Sequence, residues 1–69
     1  MIYFIKIINL KKNESTFVSY YDLDTEELLT TDDMNERQEY LSLDSLMEDL
    51  SNILSIIDMS NNLVQVGAY

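Results

Sequence analysis

The chain has no cysteine, histidine, proline or tryptophan, and it has a single glycine in 69 residues. Without cysteine it forms no disulfide and no thiolate metal site, and without histidine it lacks the commonest ligand of zinc and copper. One glycine, Gly67, excludes a glycine-rich phosphate-binding loop. Because these are the groups on which most catalytic sites depend, we expect no enzyme activity, no catalytic residue, no cofactor and no resident metal.

Positive charge is also scarce, since four Lys and Arg residues stand against 13 Asp and Glu residues for a net charge of −9. Nucleic acid and anionic lipid carry the same sign, so we expect the protein to bind neither nucleic acid nor a membrane directly. The apolar runs fall well short of the roughly 20 residues that span a bilayer. The N-terminus has no signal-peptide pattern, which predicts a cytoplasmic protein, or one of the host cytoplasm if it is viral.

Hydrophobic residues make up 46% of the chain, including five Tyr and two Phe. Disordered acidic chains are poor in such residues, so the composition predicts one folded domain over residues 1–69. A domain of this size buries little surface and here has no disulfide or metal to stabilise it. Association with a second copy is therefore a possible source of additional buried area.

Four segments have the composition of strands. Residues 2–10 are β-branched and aromatic on both alternating faces, which predicts a strand at the centre of a sheet. Residues 16–23 follow a short polar connector and are predicted to pair with this strand in antiparallel fashion. A short third strand over 28–31 precedes a polar loop at 32–38, and residues 63–69 predict a last strand at or near an edge.

The helix is predicted over about residues 43–58, with 39–43 as a further short strand or the approach to it. Ser42 is placed as its N-cap. The apolar residues follow the i, i+3, i+4, i+7 spacing of a single stripe: Leu43, Leu46, Met47, Leu50, Ile53, Leu54 and Ile57. The whole pattern predicts a small α+β domain of β-β-β-α-β order, in which an antiparallel sheet of three to five strands packs one face against the helix.

One helix leaves the other face of such a sheet open. Since the first strand is apolar on both sides, we expect that open face to expose some of the apolar residues Tyr3, Ile5, Ile7, Tyr20 and Tyr21. Tyrosine is favoured at interfaces because it joins a flat apolar ring to a polar tip. Four of these residues form the candidate dimer or docking face: Tyr3, Ile5, Tyr20 and Tyr21.

Eleven of the thirteen carboxylates fall within residues 22–49, where Arg37 is the sole cation and the local net charge is −10. Arg37 is expected to form a local ion pair. The spacing of Asp22, Asp24 and Glu26 is similar to that of a calcium loop, but Glu27 occupies the position that needs glycine, which argues against calcium. The candidate partner-binding residues are the eleven carboxylates: Asp22, Asp24, Glu26, Glu27, Asp32, Asp33, Glu36, Glu39, Asp44, Glu48 and Asp49. The last three are expected on the outer face of the helix.

We interpret this acidic segment as an imitation of nucleic acid phosphates, which a Lys- and Arg-lined groove would accept. The predicted function is an inhibitor that occupies the site of a basic nucleic-acid-binding protein such as a CRISPR effector, nuclease, restriction or repair enzyme. In size, charge and lack of catalytic residues, though in no motif, the chain resembles the small acidic proteins that bacterial viruses make against host nucleases, repair glycosylases and CRISPR complexes.

Two alternatives remain open at the level of sequence. The first is an interaction or dimerisation module that uses the tyrosine-rich sheet face, with the charge serving only solubility. The second is an antitoxin-like neutraliser of a basic toxin, which shares the electrostatics of the inhibitor.

Overall fold

A computed structural model of the chain describes all of residues 1–69 and confirms the α+β class. Its elements are β1 (Tyr3–Asn9), β2 (Glu14–Asp22), β3 (Glu27–Thr31), a 3₁₀ turn (Met34–Glu36), α1 (Leu43–Leu54) and β4 (Asn62–Ala68). The strands form one four-stranded antiparallel sheet in the order β3-β2-β1-β4, with α1 packed on one face. The β-β-β-α-β order and the predicted central position of β1 are therefore correct.

The core lies between α1 and the face of the sheet that bears the odd-numbered residues of β1. Two residues of β1, Ile5 and Ile7, are buried there, and Ile5 has no exposed surface. The rest of the buried cluster comes from β2, the connector before the helix, and α1: Val18, Tyr40, Leu46, Leu50 and Ile53. Seven buried residues in a chain of 69 make a thin, two-layer domain.

Helix α1 begins as predicted but ends earlier. The Ser42 side chain accepts a hydrogen bond from the Ser45 N–H, which makes Ser42 the N-cap. After the C-cap at Ser55, Asp58 accepts hydrogen bonds from the Ser60 N–H at 3.0 Å and hydroxyl at 2.6 Å, and this local turn replaces further helix. The predicted end at residue 58 is therefore wrong.

The apolar stripe of α1 is only partly buried. Leu46, Leu50 and Ile53 face the sheet, and Ile57 packs against the core from beyond the helix. The remaining three residues of the stripe lie on one flank of the helix and are exposed: Leu43, Met47 and Leu54. Met47 lies on the predicted apolar stripe but is therefore not part of the core.

A β-bulge in β2 decides which tyrosine faces the core. Val18 pairs with Thr30, but the next pairing joins Tyr20 to Leu29, so Ser19 is an extra residue. The insertion reverses the alternation of side chains beyond it. Tyr21 consequently packs against the core, whereas Tyr20 lies on the open face of the sheet.

The connector between β3 and α1 passes beside the start of β1 and the middle of β2. The Gln38 N–H donates to the Val18 carbonyl, and Tyr3 and Tyr40 exchange two backbone hydrogen bonds of 2.8 and 2.9 Å. Residues 39–43 were predicted to form either a short strand or the approach to the helix. They contain a single β-bridge, at Tyr40. This bridge brings the Tyr40 side chain into the core just before the helix begins.

No helix in the structure has both the length and the apolar composition needed to cross a membrane.

Candidate functional site

The first group of acids lies at the turn of the β2–β3 hairpin and consists of Asp22, Asp24, Glu26 and Glu27. One oxygen of Asp22 accepts the Asp24 N–H at 2.9 Å, which stabilises the turn. Its other oxygen accepts the Tyr20 hydroxyl at 3.2 Å, and the negative charge of Asp22 raises the pKa of Tyr20. The side chains of Asp24, Glu26 and Glu27 extend into solvent.

This turn contains two features that work against its stability. Asp22 and Glu27 are direct cross-strand partners, and like charges in that relation repel each other. Glu26 has a φ of 56°, a left-handed conformation that costs a side chain such as glutamate about 1 kcal/mol. The first hairpin has the same conformation at Asn13, with φ 55°, where asparagine is one of the residue types that tolerate it. The second turn therefore places carboxylates where other residues would be more stable.

A second group of acids follows β3 and consists of Asp32, Asp33 and Glu36. Asp33 caps the 3₁₀ turn by accepting the Asn35 N–H at 2.9 Å, and Glu36 accepts the Thr31 hydroxyl at 3.3 Å. All three side chains are exposed. Because β3 separates this group from the hairpin turn, the two groups occupy opposite ends of the same edge strand, and we call these seven carboxylates the acidic edge.

The acids of α1 do not share one face. Asp44 and Glu48 are exposed, as predicted. Asp49 is half-buried and accepts the Tyr40 hydroxyl at 2.6 Å, so its predicted position on the outer face of the helix is wrong. The sequence could not show this contact because Tyr40 reaches the helix only through its bridge to β1. Burial, together with the Asp49 carboxylate, raises the pKa of Tyr40 well above its usual value.

The hairpin and the helix bring negative charge to a common point at Tyr21. Partial burial raises the pKa of the Tyr21 hydroxyl, and the charges of Glu26, Asp49 and Asp22 raise it further. Since two of these carboxylates come from the hairpin and one from α1, the acids of the two elements act on the same region of space.

Glu39 is the carboxylate of the segment that has a cationic partner. Its Oε2 atom lies 3.5 Å from Nη2 of Arg37, the ion pair that the sequence predicts. The same oxygen accepts the Tyr69 hydroxyl at 2.7 Å, and this hydrogen bond raises the pKa of Tyr69. No other ion pair is present, so ten of the eleven carboxylates, all except Glu39, have no cation beside them.

Arg37 is packed between aromatic rings on the open face of the sheet, which sequence reasoning did not anticipate. Its guanidinium carbon lies 4.8 Å from the centre of the Phe4 ring and 4.6 Å from that of Tyr69. Only 7% of the side chain is exposed; Nη1 donates to the Met34 carbonyl, and Nε has no partner. The ring of Phe4 lies over Gly67, where a Cβ atom would overlap it. The feature of the sequence that could have pointed to this packing is that Arg37 is the single cation among the acids of residues 22–49.

The predicted tyrosine face is largely wrong. Ile5 is fully buried under α1, and Tyr3 and Tyr21 pack against the same core, so only Tyr20 of the four residues lies on the open face. The prediction failed because the parity of β1 and the bulge at Ser19 determine which residues face the helix. The open face instead includes Phe4, Lys6, Ile8, Phe17, Tyr20 and Leu29, with Arg37 and Tyr69 above them.

No group of three or more acidic side chains is arranged to hold a metal ion. Comparisons with protein-family models, with curated proteins and with solved structures gave no match.

Proposed function

We propose that the protein inhibits a basic nucleic-acid-binding protein by occupying its nucleic acid site with carboxylates in place of phosphates. The observation that supports this most is that ten of the eleven carboxylates of residues 22–49 have no cationic partner within the fold. Their charge is not used to hold the domain together. It is therefore available to the Lys and Arg side chains of another protein.

The number of charges on the acidic edge is of the same order as that on a short length of duplex. The five residue steps from Glu27 to Asp32 span roughly 17 Å at about 3.3 Å per step. B-DNA carries about ten charges on this length of axis, at one per about 1.7 Å. The acidic edge has seven carboxylates at the two ends of the same span. A groove built to neutralise phosphates would thus meet a comparable number of negative charges.

The unfavourable features of the hairpin turn support the same proposal. A charge kept only for solubility could be placed without repulsion between Asp22 and Glu27 and without the left-handed conformation of Glu26. Departures from local stability are expected where a site serves binding. We propose that the partner is met in the cytoplasm, and that like-charge repulsion keeps the protein from nucleic acid and anionic membranes.

The test starts by capturing the partner from a bacterial lysate and eluting it with a salt gradient. With the purified partner, we expect the dissociation constant to rise on the order of a hundredfold between about 50 and about 200 mM salt, as expected when several charges are neutralised. The protein should also compete with a labelled duplex for the partner. Affinity that is unchanged across this range would contradict the proposal.

Charge variants locate the binding surface. We expect the combined substitutions Asp24→Asn, Glu26→Gln and Glu27→Gln to weaken binding by about two- to threefold per charge removed. Glu14→Gln removes a carboxylate from outside the 22–49 segment and is the matched control, with a smaller effect per charge. If the captured basic partner still bound nucleic acid while in the complex, this result would instead support neutralisation of a basic toxin.

A further inference from the structure

The two edges of the sheet differ in charge. Edge strand β3 begins at Glu27 and is flanked by the two groups of the acidic edge. Edge strand β4 has the sequence Asn-Leu-Val-Gln-Val-Gly-Ala, without a charge, a proline or a bulge. Proteins usually protect an edge strand with such features, because an unprotected edge pairs with other strands. β4 is therefore the edge that is suited to pairing.

The backbone of β4 has a row of free hydrogen-bonding groups. Ile2 and Tyr69 exchange hydrogen bonds at one end of the β1–β4 ladder, and the Leu10 N–H donates to the Asn61 carbonyl at the other. By the alternation of an antiparallel ladder, the odd-numbered residues of β4 bond to β1. The even-numbered residues direct their N–H and C=O groups away from the sheet: Asn62, Val64, Val66 and Ala68.

Exposed apolar side chains lie on the same side of the molecule. Val66 is 43% exposed on the helix-covered face of β4, next to Val64, which is partly buried. Asp49 and its contact with Tyr40 mark the flank of α1 that faces β2 and β3. The opposite flank, which consists of Leu43, Met47 and Leu54, therefore faces the β4 side. The exposed apolar residues of this flank and of β4 therefore lie on the same side of the molecule.

We propose that two copies of this chain pair through β4 in antiparallel orientation, forming a continuous eight-stranded sheet. In the register centred on Gln65, Val64 of one copy lies opposite Val66 of the other. The backbone N–H and C=O groups of all four outward residues then form hydrogen bonds between the two copies. Registers centred on Val64 or Val66 would use only three. The valine pairs then lie beneath the exposed flanks of the two helices.

The charge distribution favours a second copy as the occupant of this edge. Residues 61–69 contain no charged side chain, so pairing β4 with itself brings together two uncharged surfaces. The acidic edges, which would repel each other, lie at the two far ends of the combined sheet. The pairing leaves them free, so it is independent of the inhibitor function proposed above.

The register is tested with single cysteines, because the natural chain has none. In the proposed pairing, the two Gln65 residues face each other as a non-hydrogen-bonded pair with Cα atoms about 4.5 Å apart, within reach of a disulfide. Gln65→Cys should therefore form a covalent dimer under mild oxidation. The control is Leu63→Cys, whose two copies would lie roughly 14 Å apart. Equal cross-linking of the two variants would overturn the register.

The edge itself is tested with lysine. Sedimentation from about 1 μM to about 1 mM, a range that covers weak and moderate association, should show a dimer for the natural chain. Val66→Lys should shift it to monomer. Leu29→Lys places the same charge on the exposed surface of the opposite edge and should leave the dimer intact. A monomer throughout the range, or a dimer that Val66→Lys does not affect, would overturn the proposal.

Discussion

At the scale of single residues, a substitution at Glu26 is expected to change stability and binding in opposite directions. Its left-handed backbone conformation suits asparagine better, as Asn13 illustrates in the first hairpin. We expect Glu26→Asn to raise the free energy of unfolding by about 0.5 to 1 kcal/mol. The same substitution should weaken binding to the basic partner, because it removes a carboxylate of the acidic edge. Urea unfolding and a binding titration measure the two effects.

The matched control for this prediction is Glu26→Gln, which removes the same charge without introducing a residue that favours the left-handed region. It should weaken binding as Glu26→Asn does but give the smaller gain in stability. If both variants were equally stable, backbone strain at this position would not be the cause. If Glu26→Asn bound the partner as tightly as the natural chain, the hairpin turn would not belong to the binding surface.

At the scale of elements, the sequence predicts what short-range patterns determine. The apolar residues on both faces of residues 2–10 were sufficient to identify β1 as the central strand, and Ser42 marked the start of α1. The faces of the strands could not be predicted, because one inserted residue at Ser19 reverses them without disturbing the strand composition. The contact between Tyr40 and Asp49 was equally inaccessible, since it depends on a bridge between Tyr3 and Tyr40, 37 positions apart in the chain.

The connector between β3 and α1 also depends on a contact that could not be predicted from the sequence, the packing of Arg37 against two aromatic rings. We expect Arg37→Lys to lower the free energy of unfolding by about 1 to 2 kcal/mol. Lysine keeps the charge but loses the planar contact with the rings of Phe4 and Tyr69 and the hydrogen bond to the Met34 carbonyl. This loss exceeds the relief of removing the unpaired, buried Nε atom. Urea unfolding monitored by circular dichroism measures the change.

Lys6→Met is the control for this substitution, because it removes a cation from the same open face of the sheet without a ring contact. Lys6→Met should change the free energy of unfolding by less than Arg37→Lys does, although Lys6→Met removes a positive charge and Arg37→Lys does not. An Arg37→Lys variant as stable as the natural chain would show that a charge near Glu39, and not the stacked guanidinium, holds the connector.

At the scale of the whole molecule, the charge is distributed unevenly around a thin core. Ten of the thirteen acids lie at the β3 edge and on α1, whereas β4 is uncharged and two lysines, Lys11 and Lys12, occupy the first hairpin turn. The acid-rich segment could be read directly from the sequence. That acids of the hairpin and of the helix both act on Tyr21 could not be predicted from the sequence, because it depends on how these two elements are placed relative to each other. The two proposed interactions therefore use opposite edges of one sheet.

Self-repulsion in a domain with a net charge of −9 and one ion pair should make its stability depend on salt. We expect the Tm to rise by several degrees between about 10 and about 300 mM sodium chloride, since screening worth about 1 kcal/mol shifts the Tm of a domain this small by about 4 to 8 °C. Sodium chloride is preferable to sulfate, which stabilises proteins by exclusion from their surface. Protein concentration is held fixed, because association also raises the Tm.

The charge-reduced variant with Asp24→Asn, Glu26→Gln and Glu27→Gln should show a smaller rise in Tm, because less repulsion remains to be screened. A Tm that is constant with salt would mean that the carboxylates are far enough apart not to destabilise the fold. The same increase in salt should weaken binding to the basic partner. Salt is thus expected to stabilise the free protein while it dissociates the complex, a pair of opposite responses that follows from carboxylates left unpaired in the fold and paired only with the partner.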